Sequence, residues 1–238
     1  MKKAIIIGAS SGIGRELAKI LSRNEYIVGV MARRVQLLDQ LRDEVEESIF
    51  VQKIDVADVE SAMKTLAEFI KEMGCVDLIV LSAGTGDVNN SLSWPVENQA
   101  IKTNVSGFAA LVNVAMHHFT ERGSGHLVGI SSIAALRGGR ESPAYNASKA
   151  FESNYLEGLR QKVRKSRLPI TITDIKPGFV NTAMAKGEGI FWAAEPERAA
   201  SQIYHVINRR KSSAYITRRW ALVAWLIKLL PGFIYERL

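Results

Sequence analysis

The sequence predicts a doubly wound α/β fold, one parallel sheet of about seven strands with helices on both faces. Three observations carry this expectation. Short β-branched runs alternate with helix-period segments along the chain, the pattern of strands joined by helical crossovers. A glycine-rich turn, Gly8 to Gly14, separates the first strand from the first helix. At 238 residues and 47% apolar content, the chain can bury one full core, and no linker or charge run divides it.

Taken in order, the first strand is 3–7, Lys3-Ala4-Ile5-Ile6-Ile7, and the first helix is 13–23. Between them stands Gly8-Ala9-Ser10-Ser11-Gly12-Ile13-Gly14. There Gly8 would permit a sharp turn, Gly12 a close backbone approach, and Gly14 tight packing of helix on strand. A strand, a glycine turn and a helix start form a nucleotide-binding βα unit, with unpaired N–H groups and the helix dipole favouring a pyrophosphate. A second strand, 26–31, runs to Ala32-Arg33-Arg34 and a helix over 34–46. The third, 49–54, leads through Asp55-Val56 to a helix over 58–73, where Asp55 could also serve the helix start.

Strand 76–82 ends on Leu81-Ser82-Ala83-Gly84, and the helix over 98–121 carries Asn104. Strand 126–131 leads to the pair Ser131-Ser132. The next helix, 143–166, places Tyr145 and Lys149 one turn apart on one face. A lysine cation beside a phenol favours the phenolate and brings proton transfer nearer neutral pH. Ser132, at a strand end, could hydrogen-bond the same substrate oxygen. The last elements are strand 170–176, a helix over 195–209 and strand 213–217.

The ordered set Gly8 to Gly14, Asp55-Val56, Ser82-Ala83-Gly84, Asn104, Ser132, Tyr145 with Lys149, and Pro177-Gly178-Phe179-Val180-Asn181-Thr182 resembles the short-chain dehydrogenase/reductase family in its single-domain branch. The resemblance covers nearly all of residues 3 to 217. It implies a Rossmann-type sheet of order 3-2-1-4-5-6-7, with 1–217 as the catalytic domain and 218–238 as an extension packed on that domain or on a partner subunit. It implies hydride transfer between a nicotinamide cofactor and a carbonyl or secondary alcohol, with Tyr145 as general acid/base. Lys149 would tune the tyrosine and hold the nicotinamide ribose, Ser132 would orient the substrate, and Asn104 would hold a water that returns the proton through Lys149. Ser10, Ser11, Gly12, Ile13, Ala83 and Gly84 would border the cofactor, as would Pro177, Gly178 and Val180 through backbone groups. Asp55 would accept from the adenine amino group, and Thr182 would bond the carboxamide or a phosphate. A non-catalytic NADP(H)-binding sensor on the same fold is the alternative.

At the end of the second strand no carboxylate is present to bind the adenine ribose, and Arg33, with Arg34 beside it, could grip a 2′-phosphate. NADP(H) is therefore expected over NAD(H). Two departures from the family pattern stand out: Ser11 occupies a place often basic in phosphate-preferring relatives, and Leu81-Ser82 replaces a usual pair of asparagines. The apolar residues Met184, Ile190, Phe191 and Trp192 would form a lid over a lipophilic or aromatic substrate, hinged at Gly187 and Gly189. Arg137 and Arg140, next to Glu141, read as a solvated loop or an attractor for an acidic substrate.

Other classes are disfavoured. His117, His118 and His126 have no acid or cysteine at metal-ligand spacing, so no metal is expected. The net charge of +7 comes without a nucleic-acid recognition motif. Cys75 is the sole cysteine, which rules out an internal disulfide and fits a reducing, cytoplasmic setting, and its place at a strand start suggests a buried thiol. The run from Arg218 to Leu230 is too short to cross a bilayer and contains Lys228. Its tryptophans and arginines suit a helix in a membrane interface, the segment could equally close the substrate pocket, and a contact between subunits of a homodimer or homotetramer is the preferred expectation.

Overall fold

The computed structural model describes residues 1–45, 49–183 and 192–237. Seven strands form one parallel sheet: β1 (Lys2–Ile7), β2 (Tyr26–Ala32), β3 (Ile49–Lys53), β4 (Leu78–Leu81), β5 (Gly125–Ile130), β6 (Ile170–Pro177) and β7 (Ser213–Ile216). Their order is β3-β2-β1-β4-β5-β6-β7, as the resemblance implied. The helices are α1 (Gly12–Arg23), α2 (Val35–Glu44), α3 (Val59–Met73), α4 (Trp94–Ala100), α5 (Phe108–Arg122), α6 (Pro143–Ser166), α7 (Pro196–Asn208), α8 (Trp220–Leu229) and α9 (Gly232–Tyr235).

Strand periodicity divides the core into two layers. On β1, Ala4 and Ile6 face a cluster with Leu17, Leu21, Leu38, Leu41 and Ile203, from α1, α2 and α7. Ile5 and Ile7 face the opposite cluster with Leu66, Phe69, Phe108, Phe119 and Leu156, from α3, α5 and α6. Both faces are covered, which is why the strands read as continuous apolar runs. Strand order reverses beside β1, whose neighbours are β2 and β4. A crevice outside the carboxyl ends of the strands is the expected binding place in such a sheet.

Two local expectations need correction. The helix expected over 98–121 begins earlier, at Trp94, and is interrupted by a π-helical turn, Ile101–Gly107, between α4 and α5. The interruption has a cause in Asn104, whose Nδ2 donates to the Thr85 carbonyl at 2.7 Å and to Ser148 Oγ at 2.9 Å. Its Oδ1 accepts from the Thr85 N–H at 2.9 Å. Cys75 is exposed rather than buried. The strand begins only at Leu78, so Cys75 lies in the connection after α3.

Candidate active site

Gly8 ends the first strand at φ +95°, where an L side chain is strained. A Cβ there would lie 2.6 Å from Ala83 Cα, so the loop after β4 crosses directly against the turn. The expected crevice exists as a cleft of about 1540 Å³. That exceeds the usual span of about 300–1,000 Å³ for one ligand, leaving room for a cofactor and a substrate together.

The structure brings most of the expected site residues to this cleft. Its walls include Gly8, Ser10, Ser11, Gly12 and Ile13; Arg33 and Arg34; Asp55 and Val56; and Ser82, Ala83 and Gly84. Farther along are Ser132, Tyr145, Lys149, Pro177, Gly178, Val180 and Thr182. Gly14 and Asn104 stand behind the wall. At Gly14 a Cβ would run into the Gly8 carbonyl, which is the tight helix-strand packing expected of it. Asn104 is fully buried and ties the β4 loop to α6 through Thr85 and Ser148.

Arg34 shows an arrangement that sequence spacing did not reveal. Its Nη2 donates to Ser10 Oγ at 2.9 Å and Ser11 Oγ at 2.8 Å, across the glycine turn. The guanidinium therefore sits where Ser11 leaves the loop without a cation of its own. Asp55 Oδ1 accepts from the Ala57 N–H at 3.1 Å and so orders the turn before α3. Helix α3 itself has Asp58 at its N-cap.

Tyr145 and Lys149 lie on the first turns of α6, whose Pro143 suits a helix start. Asn146 pins this end by donating from Nδ2 to the carbonyls of Ala134 and Arg137, at 3.2 and 3.0 Å. The Lys149 ammonium is 6.0 Å from the centroid of the Tyr145 ring. The adjacent serines have separate tasks. Ser132 begins a 3₁₀ turn, Ile133–Leu136, accepts from the Ala134 N–H at 3.1 Å, and borders the cleft. Ser131 is buried and donates to Asp174 Oδ1 at 2.5 Å.

Behind Lys149 lies a carboxylate that spacing along the helix offered no reason to single out. The ammonium donates to Glu152 at 2.9 and 3.0 Å and to the Ile130 carbonyl at 3.1 Å. Glu152 is 0% exposed and Lys149 4%. Burial pushes the Glu152 carboxyl up to about 7, against the pull of Lys149. For Lys149, burial is the largest influence and works against the charged form, but Glu152, Tyr145 and Asp174 together outweigh it and the pKa is raised.

The substrate end has a lid expectation that falls mostly outside the described residues: Met184, Gly187, Gly189, Ile190 and Phe191. Trp192 is described, half exposed, with its ring 6.3 Å from that of Trp220 and Arg219 stacked 5.2 Å away. Trp220 is buried on α8 and packs edge-on against Phe179 at 5.5 Å. Trp220, Val223 and Ile227 form part of the cleft wall. Arg137 belongs to this end too, donating to the Leu230 carbonyl at 3.1 Å and stacking on Tyr235 at 4.4 Å. It braces the C-terminal extension. His126 is buried and bonded to Thr173 Oγ1 at 2.8 Å, and His118 to the Val76 carbonyl at 3.1 Å. Among the described residues no cluster of acids, histidines or cysteines could hold a metal, and no helix is long and apolar enough to cross a membrane.

Known proteins resemble this chain in sequence and fold. The sequence profile described as short chain dehydrogenase matches residues 2–189. An uncharacterized oxidoreductase of Myxococcus xanthus is 38% identical over 188 residues, covering 77% of this chain and 74% of its own. Another, from Mycobacterium tuberculosis, is 30% identical over 247 residues, covering 99% and 96%. Among solved structures, a short-chain dehydrogenase from Streptomyces avermitilis superposes with a TM-score of 0.83 at 25% identity, covering 99% of this chain and 93% of that one. A short-chain dehydrogenase from Sphingobium yanoikuyae, solved in complex with NADPH, has the same fold at 19% identity, with a TM-score of 0.81 and coverages of 98% and 97%. With a dinucleotide-sized cleft, a glycine turn at its floor and Tyr145 and Lys149 on its wall, this chain belongs to the short-chain dehydrogenase/reductase family of oxidoreductases.

Proposed function

We propose that this protein is an NADPH-dependent oxidoreductase acting on the carbonyl, or in reverse the secondary alcohol, of a lipophilic or aromatic substrate. The observation that carries the reading is the joining, in one cleft, of Ser132, Tyr145 and Lys149 with the glycine turn at Gly8 to Gly14. The residues present fit such a cofactor. Gly8 leaves no space for a side chain against the β4 loop, so backbone lines the phosphate end, and Arg34 adds a cation over Ser10 and Ser11.

NADPH, when bound, supplies the hydride. Tyr145 delivers the proton to the carbonyl oxygen, and Ser132 holds that oxygen by a hydrogen bond. Lys149 keeps positive charge beside the phenol, and its N–H donors, here turned to Glu152 and the Ile130 carbonyl, would have to swing in part toward the ribose when the cofactor binds. Asn104, through its place beside Gly84 and Lys149, supports a water on the path that returns the proton. The proposed setting is the cytoplasm. All four polar residues are kept, which gives the sensor reading no support.

The extension 218–238 is proposed as a lipophilic contact. On α8, Leu222, Trp225, Leu226 and Leu229 are exposed on the face away from the cleft, while Trp220 and Ala224 are buried. Exposed cations Arg218, Arg219 and Lys228 border that apolar stripe. Two-fold pairing through this face would bring its basic rim against itself, whereas an anionic bilayer surface matches both stripe and rim. Peripheral membrane contact is therefore our reading for this face, with homodimer or homotetramer formation through others.

The test is NADPH oxidation against a panel of carbonyl compounds, with Tyr145→Phe alongside. Turnover should fall about 10²–10⁴-fold in the variant while NADPH still binds. Near wild-type turnover in a folded variant would overturn the mechanism.

A further inference from the structure

We propose that Glu152 is a positioning residue of the active site, the buried counter-ion that keeps Lys149 protonated and fixed beside Tyr145. The inference rests on the oxidoreductase reading and goes beyond it, because it concerns a residue that lines no part of the cleft. Three residues along α6 from Lys149, Glu152 would ordinarily form a weak surface pair with it. Here both side chains are sealed between α6 and the sheet, at 0% and 4% exposure. All the hydrogen bonds made by the ammonium go to protein acceptors: Glu152 Oε1, Glu152 Oε2 and the Ile130 carbonyl. The position of a Gly84 Cβ lies 3.2 Å from the same nitrogen, so it also reaches the floor of the cleft.

The charges around the pair are accounted for. On α6 the neighbours are Lys149 and, beyond it, Tyr145. On β6, Asp174 faces Glu152 and opposes its ionisation. Asp174 in turn holds Lys176 and accepts from Ser131 and Ser153, at 2.5 and 2.7 Å. Lys149 is therefore the cation left to balance Glu152. Without that carboxylate, burial would act on the ammonium against only the weaker pull of Tyr145 and Asp174, and would favour the neutral amine. The active site would lose its charge at a lower pH.

Ionisation of Glu152 near pH 7 gives the inference a signature that packing alone cannot imitate. Below that range the wild-type carboxyl is neutral, and Glu152→Gln should differ little from it. Above it, the wild type holds an ion pair that the variant lacks. The experiment compares the pH profile of kcat/KM, with NADPH and any carbonyl substrate that turns over, in wild type, Glu152→Gln and Glu152→Asp. NADPH dissociation constants are measured by fluorescence at the same pH values. Wild type and Gln should agree within about twofold near pH 6. The alkaline limb of the Gln variant should move down by about one pH unit or more, equivalent to about tenfold at high pH. Asp, which keeps the charge, should restore much of it. A Gln-to-wild-type ratio that stays constant across pH, whether low or near one, would overturn the proposal. Failure of the wild type to bind NADPH or turn over any substrate would instead overturn the oxidoreductase reading. If the Gln variant does not fold, an Asp variant with no change in the alkaline limb relative to a folded Ala variant is the overturning result.

Discussion

Gly86→Ala separates placement of the phenol proposed as the proton donor from its presence. Gly86 lies in the loop after β4, against the face of Tyr145. A Cβ built on it falls 2.8 Å from both Cγ and Cε2 of the tyrosine ring, and nearer still to Cδ2. Carbon atoms at ease sit about 3.5 Å apart, so the ring must yield by at least about 0.7 Å. It can do so, because Tyr145 is only half buried and the obstacle is a side chain rather than backbone. The stability cost should therefore stay near the low end of overpacking, about 1 kcal/mol. The catalytic cost should be larger, since a misplacement of about 1 Å can lower a rate about a hundredfold. Steady-state kinetics should show kcat down about ten- to a hundredfold, with the NADPH dissociation constant within about threefold of wild type. A folded Gly86→Ala enzyme with unchanged kcat would show that the phenol's position against this loop is unimportant, and with it the role given to Tyr145.

Three further outcomes follow from particular contacts. Arg34→Ala removes the guanidinium held over Ser10 and Ser11, and the ratio of kcat/KM for NADPH to that for NADH should fall about tenfold or more, as expected for loss of a charge-assisted phosphate contact; an unchanged ratio would assign the preference elsewhere. Burial, with the charge of Arg210, lowers His126 to about 4, so its contribution is present above about pH 6.5 and is lost as pH falls toward 4, amounting to about 3 kcal/mol. Glu152, pushed up to about 7, acts in the opposite sense over nearly the same range, so urea midpoints of wild type and His126→Gln must be compared: the variant should lose less stability between pH 7 and 4.5. Replacing Trp225 and Leu226 together by Ser should reduce co-sedimentation with anionic phosphatidylglycerol vesicles while leaving turnover of a soluble substrate unchanged, and equal sedimentation would dismiss the membrane contact.

The strands were legible because each is a compact β-branched or aliphatic run buried on both faces, and every expected strand lies within a few residues of its place. What escaped depended on partners distant in sequence. The π-helical turn at Ile101–Gly107 depends on Thr85 and Ser148, which no periodicity within residues 98–121 could reveal. Lys149 and Glu152, three apart on a helix, have the spacing of an ordinary exposed pair, and only burial against β5 and β6 changes its meaning. Arg33 and Arg34 were adjacent candidates for one task; the turn of the chain after β2 swings Arg34 back over the glycine loop. Cys75 misled because Val76 is buried, yet side chains at a strand approach alternate between inside and outside.

The polar groups buried behind α6 make sense as a single device. Asp174 is fully buried at the centre of β6, where it accepts from Ser131 and Ser153 and pairs with Lys176. An apolar replacement of similar size would often serve stability as well or better. What an apolar core would not supply is direction. Ser131 is the last residue before Ser132, and Ser153 lies on α6 one turn beyond Lys149, so the carboxylate of Asp174 ties both segments of the proposed catalytic site to one strand. Asn104 does the same from the other side, joining Thr85 of the β4 loop to Ser148 of α6. Hydrogen bonds fix angle as well as distance, and a hydride acceptor must be held to a fraction of an ångström. The chain therefore accepts the desolvation of four buried charges, Lys149, Glu152, Asp174 and Lys176, in the layer next to the chemistry. Its opposite core layer, around α1, α2 and α7, combines a large aliphatic cluster with the buried hydrogen-bonded pair His126 and Thr173.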